Sequence, residues 1–197
     1  PVDSYAGLEN LTSIGGHFVV VMGENFDNFA ALSNLQSIGG HLLVQGELNN
    51  AAPTPIFSNL SSLQRIDRTL HLKDTNASTF AGLENLTSIG GLELYGNRAL
   101  TSLSILGDAI TTFPQGSLTI DAEHDVLAGL DGLENLTQVG RSVYISGQSL
   151  RELQGRFDNL QSVGERLWLQ SIQESDTTRR ITYRQLFPTL TTLGGLH

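Results

Sequence analysis

Few side chains in this sequence are spaced for chemistry. Asp121, Glu123 and Asp125 alternate around His124, which would set carboxylates on one side of an extended segment and suit a cation such as calcium. The segment lacks the glycine and closing glutamate of an EF-hand loop. His17 and His41 hold equivalent places in two successive copies of a repeated pattern, where their imidazoles would stack. A metal held by that pair would need a third ligand, and none is near in sequence. The expectation is no metal and no cofactor. Catalysis has little to work with: there is no Cys, no Ser in a nucleophile elbow and no Gly-rich phosphate loop between a strand and a helix.

Binding chemistry is better represented. Tyr144, Trp168 and Arg166 bring together two aromatic rings and a guanidinium, the residue types enriched at the centres of interfaces. A basic spot at Arg179, Arg180 and Arg184 stands out in an acidic chain and would suit an acidic partner. Five Asn-x-Ser/Thr sequons occur, at Asn10, Asn59, Asn76, Asn85 and Asn135; Asn76, in an expected loop, is the credible acceptor in a eukaryotic source.

The elements that must position these residues follow from an internal repeat. Residues 6–16 read AGLENLTSIGG, and residues 81–91 read the same letter for letter. Taking the apolar residue before each glycine-bearing turn as anchor gives Ile14, Ile38, Ile66, Ile89, Phe113, Val139, Val163 and Leu193. These mark about eight coils of 23–30 residues, the last incomplete. Leucines recur three and six residues before the anchor. After the turn come alternating pairs such as Phe18/Val20, Leu42/Val44 and Leu92/Leu94, the pattern of a strand with one face inward. One coil cannot bury its inner face alone, so such a chain folds as a stack. The expected fold is therefore an all-β solenoid, a parallel β-helix forming a single domain over residues 1–197. Strands about 4.8 Å apart would make it a short rod.

Two further columns have structural readings. The residue before the second leucine is Asn10, Asn34, Asn85, Asn135 or Asn159 in five coils, which predicts an asparagine ladder bonding turn backbone between coils. The two residues after that leucine are mostly Thr, Ser and Gln. A flat Thr array would be an ice-binding surface; Gln and Arg65 interrupt this one.

What fails to recur is free to serve another purpose. Between the buried strand positions, the outward column reads Val19, Leu43, His71, Glu93, Thr119, Tyr144 and Trp168. Tyr144 and Trp168 are expected to be neighbours, with Arg166 close by, and Val19, Val21 and Leu43 would form an apolar patch at the other end. Two readings remain open for Trp168: a partner contact, or burial beneath the insertion of residues 170–186. Enzymes built on parallel β-helices line this face with several carboxylates or cations, whereas the column offers Glu93 alone. The expectation is no enzymatic activity.

Composition sets the outer bounds. With 197 residues, 39% hydrophobic, the chain is long enough for one core. No apolar run is long enough to span a bilayer as a helix. The net charge of -9, with ten Arg and the single Lys73, argues against nucleic-acid binding. The chain starts at Pro1 without an initiator Met, as expected of a processed product or an excised segment.

The pattern L-x-x-L-x-x-I-G-G-x-L-x-I, with the variant Leu92-Glu93-Leu94-Tyr95-Gly96-Asn97-Arg98-Ala99-Leu100, resembles the receptor L domain. That domain is the leucine-rich-repeat-like, right-handed β-helix of insulin-receptor and epidermal-growth-factor-receptor ectodomains. The resemblance covers residues 6–196, and lacks the cysteines that cap the animal domains. It implies an extracellular or cell-surface module that recognises or adheres to a protein or glycan through its exposed sheet. The alternative is a structural subunit that self-assembles end to end, because neither end shows a polar capping helix and open solenoid ends expose apolar rungs and strand edges.

Overall fold

The computed structural model describes residues 5–23, 26, 29–46, 53–107, 109–122, 127, 129–147, 157–170 and 183–195. They form a parallel β-solenoid with almost no helix. Each typical coil has a two-residue strand ending on the anchor, a corner, and a four-residue strand. The first coil gives β1 (Ser13–Ile14) and β2 (Phe18–Val21), and the second β3 (Ser37–Ile38) and β4 (Leu42–Gln45). In the third and fourth coils one strand runs through the corner, as β5 (Arg65–Lys73) and β6 (Ser88–Tyr95). Then follow β7 (Thr112–Phe113), β8 (Leu118–Asp121), β9 (Gln138–Val139), β10 (Val143–Ser146), β11 (Ser162–Val163) and β12 (Leu167–Gln170). A short helix, α1 (Tyr183–Leu186), precedes β13 (Thr192–Leu193).

All strand pairing between coils is parallel and in the register set by the repeat. The post-corner segments pair in the order β2-β4-β5-β6-β8-β10-β12. That is seven strands, and hence six full turns of chain from first to last, fewer than the eight coils expected. The anchors do number eight, but they split into two ladders, β1-β3-β5-β6 and β7-β9-β11-β13. The third coil has Asp67-Arg68 where the first, second, fourth and last have Gly-Gly, and the register shifts there between Ile66 and Thr69.

The repeated apolar columns are the core. Leu32, Leu60, Leu83, Leu106, Leu133, Phe157 and Phe187 fill the first column, and Leu35 to Leu160 the second. The inner strand pairs from Leu42/Val44 to Val143/Ile145 are buried. An aromatic column completes the interior: Phe29 stacks on Phe57 at 6.1 Å, Phe57 on Phe80 at 5.8 Å, and Tyr5 on Phe29 at 6.2 Å. These rings stand nine residues before successive anchors, a regularity the leucine columns obscure.

The polar columns tie coil to coil. Asn34, Asn85, Asn135 and Asn159 each donate Nδ2 to a carbonyl of the preceding coil, at Glu9, Ser61, Gly107 and Glu134, over 2.7–3.0 Å. The ladder runs along a solvent-facing edge. Threonines of the expected flat array are spent similarly, with Thr87, Thr137 and Thr191 hydroxyls donating to the carbonyls of Gln64, Thr111 and Gln161. Hydroxyls bonded to backbone serve the fold.

Candidate functional site

Strand alternation turns every second residue of the post-corner strands away from the core. Register then aligns the first outward residue of each strand into one row. Val19 pairs with Leu43, Leu43 with His71, His71 with Glu93, Glu93 with Thr119, Thr119 with Tyr144, and Tyr144 with Trp168. The row predicted from the sequence is thus a continuous line across the sheet. A second row, two residues on, was not singled out in the sequence: Val21, Gln45, Lys73, Tyr95, Asp121, Ser146 and Gln170. The period-two rule that exposes the first row also exposes this one.

The two rows interact at the middle of the sheet. His71 Nδ1 lies 3.0 Å from Glu93 Oε2. That hydrogen bond holds the Glu93 carboxyl below its ordinary pKa, against the opposing effect of partial burial. The His71 ring packs beside Tyr95, with centroids 5.3 Å apart. Burial pushes the Tyr95 phenol upward, and the Glu93 charge adds to the shift. Ser146 is buried and donates to Asp121 Oδ1 at 3.0 Å. Further along, Tyr144 and Trp168 meet edge to face at 5.9 Å. Trp168 remains 44% exposed, so it is not part of a buried satellite core. Residues 171–182 of the insertion expected to cover it lie outside the described residues. Val19 at 58% and Val21 at 61% exposure form, with half-buried Leu43, the apolar patch at the first coil.

A polar hollow of about 180 Å³ borders the first row at the corner. Arg68, Arg141, Glu93, His41 and Gln115 line it, over a floor of Gly90 and Gly116. The sequence pointed to Glu93 here, but the arginines sit at corner positions two coils or more apart and only the winding brings them together. Arg166 lines a second, open hollow with Ser142, Glu165, Gly194 and Gly195.

The remaining candidates separate. Asp121 belongs to the second row, whereas Glu123 and Asp125 lie outside the described residues. His17 and His41 do stack, at 4.9 Å, but the Nδ1 of each accepts a backbone N–H, from His41 and Thr69. Among the described residues no group of three or more His, Cys, Asp or Glu could hold a metal ion. Of the basic spot only Arg184 is described, exposed on α1. Asn76 is half-buried, and its carbonyl accepts the Thr54 N–H.

The face presents aromatic surfaces able to stack, a carboxylate able to accept hydrogen bonds, and guanidinium groups able to donate them. Comparison with protein-family models, curated proteins and solved structures finds no match for the chain.

Proposed function

We propose that the protein is a non-enzymatic recognition or adhesion module, working outside the cell or at its surface, that binds a protein or glycan through the exposed sheet. One observation carries the reading. The outward row from Val19 to Trp168 keeps unbroken register across seven strands, yet its side chains do not repeat, while the inward rows beside it are leucine, isoleucine or valine in nearly every coil. Folding needs the inward rows to recur and asks nothing comparable of the outward one. Tyr144 and Trp168 are the anchors, large amphipathic rings that bury much area at small conformational cost. His71, Glu93 and Tyr95 supply directional hydrogen bonds at the centre. The extracellular placement rests on the resemblance of the repeat to receptor L domains.

The test is to probe a glycan array and a displayed library of extracellular proteins with the native chain and with the Tyr144→Ala/Trp168→Ala double variant. A ligand of this face should lose at least about tenfold in affinity, as expected when aromatic hot-spot residues are truncated. A ligand bound equally by both chains removes the assignment.

A further inference from the structure

The residue two places before the first inward residue of each post-corner strand forms a row of its own. Counted back from Leu42, Leu70, Leu92, Leu118, Val143 and Leu167, which pair in unbroken register, it reads Gly40, Arg68, Gly90, Gly116, Arg141 and Glu165. Close packing of coil on coil explains the glycines between the arginines. A Cβ on Gly90 would stand 2.6 Å from the Asp67 carbonyl oxygen and 2.8 Å from the Arg68 Cα, and one on Gly116 2.5 Å from the Gly90 carbonyl oxygen. Packing does not explain the arginines. Both are exposed, and the pairing of β5 with β6 is irregular between Ile66 and Thr69, around the first of them. Irregularities of this kind re-aim side chains and are over-represented beside functional sites.

The row therefore makes a trough with a low backbone floor and cationic ends. Arg68 and Arg141 stand three coils apart, roughly 14 Å at about 4.8 Å per strand. Both line the hollow of about 180 Å³ over Gly90 and Gly116. Asp67, the carboxylate next to Arg68 in sequence, pairs with Arg65 at 2.9 Å, and among the described residues Arg68 forms no ion pair. Arg141 gives Nε to Glu165 at 3.2 Å, which leaves its two terminal nitrogens. Glu93 is the carboxylate among the lining residues, and His71 already holds one of its oxygens at 3.0 Å. Two guanidiniums thus share the hollow with one carboxylate, in a chain whose net charge is -9. Gln115 and Ser117 add neutral donors and acceptors.

We propose that this hollow takes the anionic group of an acidic glycan, the carboxylate or sulfate of one sugar unit, clamped between Arg68 and Arg141; the assignment rests on the recognition role proposed above and names its ligand class. A guanidinium fork donates paired N–H bonds to two oxygens of such a group. Glu93 and Gln115 accept from the hydroxyls beside it. The hollow is smaller than the pockets of about 300–1,000 Å³ that enclose whole drug-sized ligands, which suits one unit of a longer chain lying along the face. In the outward row Thr119 follows Glu93, and Tyr144 and Trp168 stand two and three strands on, roughly 10 and 14 Å away. A glycan anchored by its acid in the hollow reaches those rings with its next units, whose apolar faces pack on aromatic surfaces. An acidic peptide fits less well. Its further carboxylates meet Glu93, and like charges brought together across an interface are costly. The strands beside the hollow are paired on both sides, so no edge is open for a peptide to extend the sheet.

The test is an array that pairs uronate-, sialate- and sulfate-bearing oligosaccharides with the same chains lacking the acidic group, beside a poly-glutamate peptide. The native chain should bind one or more acidic members at least about tenfold tighter than the neutral counterparts, and more weakly as salt is raised. Arg68→Gln and Arg141→Gln should each remove at least about tenfold of that affinity while leaving the melting temperature unchanged, since both side chains are exposed. Carboxylated and sulfated members read separately tell which anion is held. Neutral and acidic members bound alike, with both arginine variants silent, overturn this inference; if Tyr144→Ala/Trp168→Ala still abolishes that binding, the recognition role of the face stands without it. Failure to bind any acidic member overturns the inference, and so does poly-glutamate held through the arginines in preference to every glycan.

Discussion

His17 and His41 stack with ring centroids 4.9 Å apart, and each imidazole accepts a backbone N–H from the next coil through Nδ1, His17 from His41 and His41 from Thr69. An imidazolium has no lone pair to accept with, so this stitch works only while the rings are neutral. Partial burial lowers the His41 pKa below its ordinary 6.5; the neighbouring His17 and Arg68 charges lower it further, and His71 adds slightly, while Glu93 opposes. The unfolded chain therefore takes up its proton at higher pH than the folded one. The stabilisation is complete above pH 6.5 and is lost as pH falls from there through the folded-state value. Melting temperature should drop between pH 7.5 and 5.5 more in the native chain than in His41→Asn, whose amide oxygen accepts at any pH. Equal slopes would show that the stitch does not titrate.

The asparagine ladder admits a comparison within one molecule. Asn85 donates to the Ser61 carbonyl at 2.7 Å, whereas Asn10 has no coil in front of it among the described residues. Asn85→Ala leaves that carbonyl to water and should cost about 1 kcal/mol. For a chain of this length the loss appears as a fall of roughly 2–4 °C in melting temperature. Asn10→Ala, measured in dilute solution, should leave the melting temperature unchanged. Thermal denaturation of both variants at one concentration decides it.

The same contrast governs the corners. Gly39 has the Gly15 carbonyl oxygen 2.6 Å from where its Cβ would be, and the two strands on either side are locked in register. Gly39→Ala must spread the first two coils, with an overpacking cost of about 1–3 kcal/mol. Gly15→Ala meets nothing within 4 Å and should be neutral in the dilute chain. Denaturant midpoints should separate the two variants, and coincident midpoints would mean that the corners are not close-packed.

Legibility in the sequence followed recurrence. Columns restated in every coil, such as Leu35, Leu63 and Leu86 or Asn34, Asn85 and Asn159, could be read because insertions between anchors do not disturb fixed offsets from the anchor. The outward row was legible too, since it is fixed by the alternation of strands whose inward residues were already identified. Less could be read where coils depart from the pattern. Asp67-Arg68 stands where the first, second and fourth coils have Gly-Gly, and Arg68 comes to line the hollow beside Glu93. The aromatic column went unread because Leu130 takes the place of a ring in the sixth coil, leaving Tyr5, Phe29, Phe57 and Phe80 as a partial series. The histidine pair was read as stacked imidazoles without the third ligand that a metal would need. Its actual partners are backbone N–H groups of adjoining coils, which residue spacing alone does not distinguish from a metal.

Phe57 is the position at which the interior is most exposed to test. Its ring is fully buried and lies between Phe29 and Phe80, nearly parallel to both, with interplanar angles of 8° and 10°. Truncation to alanine removes a side chain that touches the coils on both sides, so no single coil can relax into the void. Phe57→Ala should cost about 3–5 kcal/mol, the range for a large aromatic removed from a core. Phe57→Leu, which keeps apolar volume but loses the stacked planes, should cost less. Because a solenoid's stability passes through nearest-neighbour contacts, the damage should extend to the second, third and fourth coils before the distal ones. Hydrogen exchange should therefore quicken at the amides of Leu42–Gln45 and Leu70–Lys73 while those of Val143–Ser146 keep their protection. Uniform loss of protection along the whole rod would instead show that the chain unfolds as one cooperative unit and that the aromatic column is not a local joint.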